Sequence, residues 1–514
     1  MQKPIPQPTR DTTINIALDT LEKKKQALIF VNSKRAAERQ AEDLSKKTRL
    51  SSQELTLLAE ELESVLDKPT HQCSRLAACV RKGVAFHHAG LASKQKELIE
   101  THFKKGSVKV ICCTPTLAYG LDLPAFRSIV RDVKRYGHRG MDFIPVLEYL
   151  QMAGRAGRPK FDAWGEAILL ADTETEVDDL LDRYIRGEPE EIYSKLAVEP
   201  VLRTYLLSLI AARFVRTREE ILDFFGKTFW AHQFGDMEKL GSIIDKMLRL
   251  LTEWEFIQSN KDEFAPASEI GNVPYRASFL GQRVAELYLD PLTAHQVRKA
   301  VSKADVEKPQ GIFPWLHILS RQLEMRPLSG IRQKEYEVVS QRLALSGDSL
   351  HEREPSMFDQ EYDAYLDAVK MAMILDDWCE EKDEEFILET YNIRPGELRA
   401  KLSRLDWLLY ATHELAHILQ CQDVLSSIRK VRTRAKYGIK EELVALVRLD
   451  GIGRSRARML FRNGIKDLGD IKKADIQRLI SILGNKLAAS VKRQAGESVQ
   501  VVEDVPFKRF ERKG

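Results

Sequence analysis

A parallel α/β domain followed by a mostly helical remainder is the fold class this sequence predicts, and three observations carry it. Five short apolar runs without polar alternation punctuate the chain before Leu170, with amphipathic stretches between them. That is the pattern of strands buried on both faces by crossover helices. Beyond Glu188, apolar residues recur almost wholly at helical spacing. A chain of 514 residues is too long for one core and divides into several units of roughly 100–200 residues.

The elements follow in order. Residues 27–31, Ala-Leu-Ile-Phe-Val, read as the first strand, ending at Asn32-Ser33 where a helix starts. Strands two to five are 83–88, 108–113, 126–130 and 167–170, with a long polar helical insertion, about 45–82, between the first two. From Leu202 to Trp254 come three periodic helical segments and then the strand-like Phe256-Ile257-Gln258, an order that suggests a winged helix ending near Tyr288. Long helices dominate from Asp290 to about Tyr437, interrupted by a polar acidic loop over 346–363. A Gly-Ile-Gly turn between helices marks the remainder.

Composition narrows the function classes. No segment approaches the ~18 uninterrupted apolar residues of a membrane span, and no apolar signal core opens the chain. No membrane partner is expected. Six cysteines, none in a C-x-x-C pair, read as reduced thiols of a cytoplasmic protein. The net charge of +4 conceals an asymmetry: from Cys421 to Gly514 there are 22 Lys/Arg against 11 Asp/Glu. A small basic domain on a mildly acidic body is the footprint of nucleic-acid binding.

Chemistry concentrates at three places in the α/β part. Strand one ends in Asn32-Ser33-Lys34-Arg35, and strand three runs into Thr114-Pro115-Thr116-Leu117-Ala118-Tyr119-Gly120-Leu121-Asp122. The third is Gln151-Met152-Ala153-Gly154-Arg155-Ala156-Gly157-Arg158. Two arginines three residues apart among glycines can point at one polyanion, and such groups stabilise charge on a transferring phosphoryl group. Loops at the carboxyl ends of parallel strands are where open α/β sheets bind ligands, so the three plausibly share one edge.

This order resembles motifs IV, V and VI of superfamily 2 helicases, in the second of their two RecA-like domains. The run Gly83-Val84-Ala85-Phe86-His87-His88-Ala89-Gly90-Leu91 narrows the resemblance to the Ski2-like branch. The arrangement downstream is similar to the archaeal Hjm-type DNA helicases, relatives of the helicase part of polymerase theta. The resemblance implies that Gln151, Gly154, Arg155 and Arg158 contact ATP, with Arg155 and Arg158 catalytic, and that Gly120 and Asp122 join the nucleotide site. Asn32, Ser33, Thr114 and Thr116 would touch the DNA backbone; hydroxyls and N–H groups suit phosphate contact without reading bases. The stretch from Arg131 to Ile144 matches the family's strand-separating hairpin, with Tyr136, His138 and Arg139 near its tip.

The resemblance also implies a phosphate loop and an acidic Mg2+-binding box on a first RecA-like domain, and neither pattern occurs here. Gly226-Lys227-Thr228 imitates the end of such a loop, but its partner glycine position is Ile221. It reads as winged-helix core. A first RecA-like domain is therefore expected from elsewhere, in trans if the gene is split.

In the helical part, 397–407 resembles the start of the family's ratchet helix, with Arg399, Lys401 and Trp407 as DNA contacts. The family's usual arginine two turns before the tryptophan is Ala400 here, and Trp407 reads either as a base-stacking platform or as bundle core. His413-Glu414-Leu415-Ala416-His417 has the zinc-peptidase spacing, but no histidine follows His417 to complete a ligand set, so no metal is assigned. Residues 449–458 resemble a helix-hairpin-helix. Gly451 and Gly453 would expose N–H groups to phosphate, and Arg454, Arg456 and Arg458 would supply counter-charge. The last ten residues read either as a peptide for other replication-repair proteins or as a frayed basic end.

The expected domains are 1–187 RecA-like, 188–289 winged helix, 290–437 ratchet bundle, 438–500 helix-hairpin-helix and 501–514 basic tail. The expected function is the C-terminal part of an ATP-dependent 3′-to-5′ helicase acting on single-stranded and forked DNA in replication-fork repair and recombination. The alternatives are a non-catalytic DNA-binding subunit, an inactive fragment, or an RNA helicase of the same branch.

Overall fold

The computed structural model describes residues 4–119, 123–137, 140–157, 162–259, 274–308 and 311–496. In chain order its first elements are α1 (Thr12–Glu22), β1 (Ala27–Phe30), α2 (Lys34–Ser45), α3 (Gln53–Glu63), α4 (His71–Val80), β2 (Val84–His87), α5 (Ser93–Lys105) and β3 (Val110–Cys113). Then come β4 (Arg127–Val130), β5 (Lys134–Gly137), β6 (Gly140–Phe143), α6 (Val146–Ala153), β7 (Glu166–Leu169) and α7 (Glu174–Leu180). The middle holds α8 (Glu199–Ala211), α9 (Arg218–Gly226), α10 (Phe229–Phe234), α11 (Met237–Glu253), β8 (Ile257–Ser259), β9 (Tyr275–Ala277) and α12 (Phe279–Glu286). The rest is α13 (Pro291–Glu307), α14 (Phe313–Ser320), α15 (Tyr336–Ser346), α16 (Tyr362–Cys379), α17 (Glu384–Tyr391), α18 (Pro395–Ile418), α19 (Gln422–Tyr437), α20 (Arg454–Arg462), α21 (Leu468–Lys473), α22 (Ile476–Leu483) and α23 (Asn485–Gln494).

Two compact units result. The first holds 1–202, 218–245 and 383–401, and the second holds 203–217, 246–382 and 402–514. In the first, a five-stranded parallel sheet has the order β2-β3-β1-β4-β7. The three inner strands and the edge strand β2 are buried along their whole length, which is why they read as unbroken apolar runs. The polar stretch after α2 is indeed helical, forming α3 and α4, and the serine hydroxyls of Ser33 and Ser52 cap α2 and α3. β5 and β6 form an antiparallel hairpin with Lys134 opposite Phe143.

Helices α8 to α11 and the β8–β9 ribbon give the helix-then-strand order expected of a winged helix, with one additional short helix, α10. Gly226-Lys227-Thr228 corrects one expectation. It is not core: Gly226 at the end of α9 and Lys227 just after it are exposed, and Lys227 pairs with Asp223 at 2.6 Å. Among the described residues no helix is long and apolar enough to cross a membrane. All six cysteines are free and buried, and burial pushes the thiols of Cys79 and Cys379 up to about 12.

The second unit buries polar groups without partners. His317 is fully enclosed between α14 and α16, and neither ring nitrogen is hydrogen-bonded among the described residues. Its ring meets Tyr365 edge-on at 4.8 Å, and His351 packs on Trp315 at 4.3 Å. Burial, reinforced by Arg321, lowers His317 to about 3, and burial with Lys303 lowers His351 to about 4. Both folded values lie below the unfolded one. Stability is therefore whole above pH ~6.5 and falls as pH drops towards 4, by about 1.4 kcal/mol per pH unit for each ring. The urea midpoint of the second unit, followed from pH 7 to 4, is expected to show this loss, and His317→Leu is expected to shrink it.

Candidate nucleic-acid and nucleotide surfaces

The loops leaving β1, β2 and β3 meet at the carboxyl edge of the sheet. They line a cleft of about 590 Å3 with Asn32, Ser33, Thr114 and Thr116 on its wall, so the structure brings these four residues together. Thr114 and Thr116 share a hydroxyl–hydroxyl hydrogen bond of 2.9 Å. Ser33 accepts the Ala36 N–H at the head of α2, leaving its own O–H proton to donate.

The hairpin is anchored at its base. The Asn32 side chain donates to the Lys134 carbonyl at 3.2 Å, and the Asn32 N–H donates to Asp132 at 3.0 Å. Arg135 reaches both oxygens of Glu148 at 2.9 Å, and Tyr184 donates to the Ile144 carbonyl at 2.8 Å. Lys134 and Arg183 lie over the Phe143 ring at 4.7 and 4.3 Å. Such bracing suits an element that transmits force. His138, Arg139 and the Tyr136 side chain lie outside the described residues.

The double-arginine segment follows α6 directly. Arg155, half-buried, donates from Nη2 to the Ala118 carbonyl, which joins it to the Thr114–Tyr119 loop. Its own carbonyl accepts the Ala125 N–H at 2.9 Å, and Gly157 N–H donates to the Ala125 carbonyl at 2.7 Å. Gln151 Oε1 is buried with no hydrogen-bond partner, an acceptor left for a ligand or water. Gly154 closes α6 as its C-cap. Gly120, Asp122 and Arg158 lie outside the described residues.

On α17 and α18, Arg399 is exposed and pairs with Glu384 at 3.2 Å. Lys401 lies two residues further along the same helix, half-buried. The Trp407 indole, half-buried, donates to the Leu287 carbonyl at 3.1 Å. Glu414 of the zinc-peptidase-like run is held by Arg283 at 2.8 Å, an ion pair that gives the glutamate a structural partner.

A cleft of about 1070 Å3 lies between α19 and the terminal hairpin. Gly451 and Gly453 line it, together with Arg429, Lys430, Arg432, Lys436 and Arg448 of α19 and the following turn. Gly451 has φ +82°, and a Cβ there would approach Leu487 to 2.7 Å, so only glycine fits the turn. Of the hairpin arginines, Arg456 donates back to the Gly451 carbonyl at 2.8 Å. Arg454 lies over the Trp378 ring at 5.0 Å, and Arg458 joins Glu381 and, at 3.0 Å, Glu442. Arg454 and Arg458 thus tie the hairpin to α16 and its neighbours, and the exposed cations lining the groove, Arg429, Lys430, Lys436 and Arg448, come from α19 and the turn after it. Reading the sequence for motifs missed these; the signal was basic residues at 429, 432 and 436, three and four apart on one helical face.

Comparison with known proteins agrees with this layout. The family described as "Helicase conserved C-terminal domain" matches residues 68–160, and "Helix-turn-helix domain" matches 165–258. "Archaeal helicase, domain 4" matches 313–438, and "SAM-like Helix-hairpin-helix tandem" matches 443–497. The ATP-dependent DNA helicase Hel308 of Pyrococcus horikoshii is 39% identical over 499 residues, 95% of this chain and 66% of that protein. The Pyrococcus abyssi protein of the same name is 38% identical, with 95% and 66% covered. That of Methanococcus vannielii is 34% identical, with 95% and 68% covered. The chain spans about two thirds of the length of these relatives. At this identity and coverage the chain belongs to the Hel308 helicase family.

Proposed function

We propose that this chain supplies the second RecA-like domain, winged helix, ratchet bundle and helix-hairpin-helix of an ATP-dependent 3′-to-5′ DNA helicase that opens forked DNA. The observation that carries the reading is the bond from Arg155 to Ala118. It makes one continuous unit of the strand-contacting loop Thr114–Tyr119 and the arginine that would face nucleotide. A change at the phosphate is then felt at the strand. ATP, when bound, supplies the phosphoanhydride cleavage that drives movement. Gln151 Oε1 offers it an unsatisfied acceptor, Arg155 a cation, and Arg158 a second one by its place in the motif. Phosphate-loop and Mg2+ ligands come, on this reading, from a first RecA-like domain.

Combining the chain with a phosphate-loop RecA-like domain, in one polypeptide or two, is expected to yield DNA-stimulated ATP hydrolysis and unwinding of a 3′-tailed fork. Matched RNA forks are expected to be opened poorly; equal opening of both would favour the RNA reading, and no ATP hydrolysis in the combined protein would favour a non-catalytic DNA-binding subunit.

The terminal groove holds single-stranded backbone by charge. Arg429, Lys436 and Arg448 are exposed on its wall. Replacing all three with glutamine is expected to flatten the slope of log K against log salt by about 2, at ~0.7 per single-strand phosphate. Fluorescence anisotropy of the full chain on an oligothymidylate measures it.

A further inference from the structure

The cleft at the sheet edge has a wall that no motif predicts. Asn392 and Arg394, the turn between α17 and α18, line it beside Asn32, Ser33, Arg35, Thr114 and Thr116. The turn is built into the unit. Arg394 donates from Nε to Glu38 at 2.9 Å, and its N–H donates to Glu397 at 3.2 Å. Glu38 is buried and also receives Arg75 at 3.0 Å and His88 Nε2 at 3.1 Å. Burial alone would raise its carboxyl, but the hydrogen bonds from His88 and Arg394 outweigh that and bring it to about 2, so it stays charged. Glu397 pairs with Lys34.

Two glycines make room. A Cβ on Gly90 would come within 2.3 Å of Arg394 Cδ, so the arginine stem lies across a position only glycine can hold. A Cβ on Gly396 would reach 2.2 Å from the Leu91 carbonyl oxygen, while its N–H donates to the Gly90 carbonyl at 3.0 Å. The consequence is a guanidinium fixed at one edge only. Its Nε is engaged, and its two terminal amino groups have no protein partner among the described residues. Close by in the lining, Arg35 is exposed and makes no ion pair among the described residues. The carboxylates there are already spent: Glu148 on Arg135 and Asp132 on Arg131. A fork of N–H donors beside an unpaired cation suits a phosphate oxygen pair.

We propose that Arg394 grips a backbone phosphate of a single DNA strand lying in this cleft, with Arg35 beside it, making the 392–394 turn part of the strand-binding surface and Glu38 its positioning residue. This rests on the reading of the cleft as a strand site.

The test uses the full chain and a fluorescein-labelled oligothymidylate, with affinity measured between roughly 50 and 200 mM salt. Arg394→Gln and Arg35→Gln are each expected to weaken binding several-fold and to flatten the log K–log salt slope by about 0.7. Arg394→Lys keeps a cation against Glu38 and so preserves the fold, but lacks the two terminal donors; its slope is expected to fall equally. An abasic oligonucleotide is expected to show the same dependence, because the contact is to backbone. Wild-type slopes in both Arg394 variants would overturn the proposal. Thr114→Val with Thr116→Val separates the two readings. Weaker binding there with wild-type slopes in the Arg394 variants sinks only this inference, whereas no effect of any cleft variant sinks the strand site itself.

Discussion

Arg155→Ala, introduced into the chain joined to a phosphate-loop RecA-like domain, is expected to lower DNA-stimulated ATP hydrolysis by about 10³-fold or more. An arginine facing a transferring phosphoryl group works where charge develops, so its removal falls on kcat rather than on ATP affinity. The fold should barely notice. Arg155 is half-buried, and its one side-chain hydrogen bond among the described residues, to Ala118, is worth about 1 kcal/mol. Arg155→Lys is expected to fare nearly as badly, because a single ammonium cannot hold Ala118 and reach a phosphate together. Strand binding by the isolated chain should stay within twofold, since the cations of the sheet-edge cleft and the terminal groove are untouched. A variant that hydrolyses ATP at the parent rate would remove Arg155 from the nucleotide site.

How much of this was legible in the sequence depended on the range of the interaction. The five strands were readable to within one or two residues because a strand covered on both faces has no polar alternation, and Leu28, Ile29, Cys112 and Ile129 are wholly buried. That Asn32, Ser33, Thr114 and Thr116 would gather at one sheet edge was readable because loops at the carboxyl ends of neighbouring parallel strands converge, and Thr114 and Thr116 are two apart in one loop. Helix α10 was missed, since six residues with one buried aromatic, Trp230, and two exposed ones, Phe229 and Phe234, show no stripe of helical period. Arg394 carries no local signal at all. Its partner Glu38 lies 356 positions away, and neither residue sits in a recognisable pattern. The terminal arginines teach the opposite lesson. Residues 454 and 458 share one helical face, and 456 lies about 200° round the helix from each. The structure uses the first and third to hold the hairpin in place, against Trp378 and against Glu381 with Glu442.

Arg127→Met is expected to destabilise the first unit by about 3 kcal/mol or more, although it touches no proposed ligand. Arg127 opens β4 with 3% of its surface exposed, and there it joins four acceptors on two other elements. Nη1 reaches Asp19 at 2.5 Å, Thr20 at 2.9 Å and the Ile16 carbonyl at 3.2 Å on α1, while Nε reaches Glu166 of β7 at 2.5 Å. Methionine fills much the same space but takes the guanidinium away from Asp19, which keeps Lys23, and from Glu166, and a buried pair broken on one side costs about 3–5 kcal/mol. The Asp19 carboxyl shows the coupling. Burial raises it, but the hydrogen bonds from Lys23 and Arg127 pull it below its ordinary value, so its share of stability is present at neutral pH and lost as pH falls through that lowered value. Hydrogen exchange is the measurement. Amides of β4 and β7 are expected to exchange about a hundredfold faster or more in Arg127→Met, the ratio that ~3 kcal/mol implies. Adding Asp19→Asn and Glu166→Gln is expected to recover part of the loss, because both carboxylates otherwise keep their charge where the guanidinium has gone. No recovery in the triple variant would mean that α1 and the sheet are held by the packing of the arginine stem, and the ion network would then be incidental to the fold.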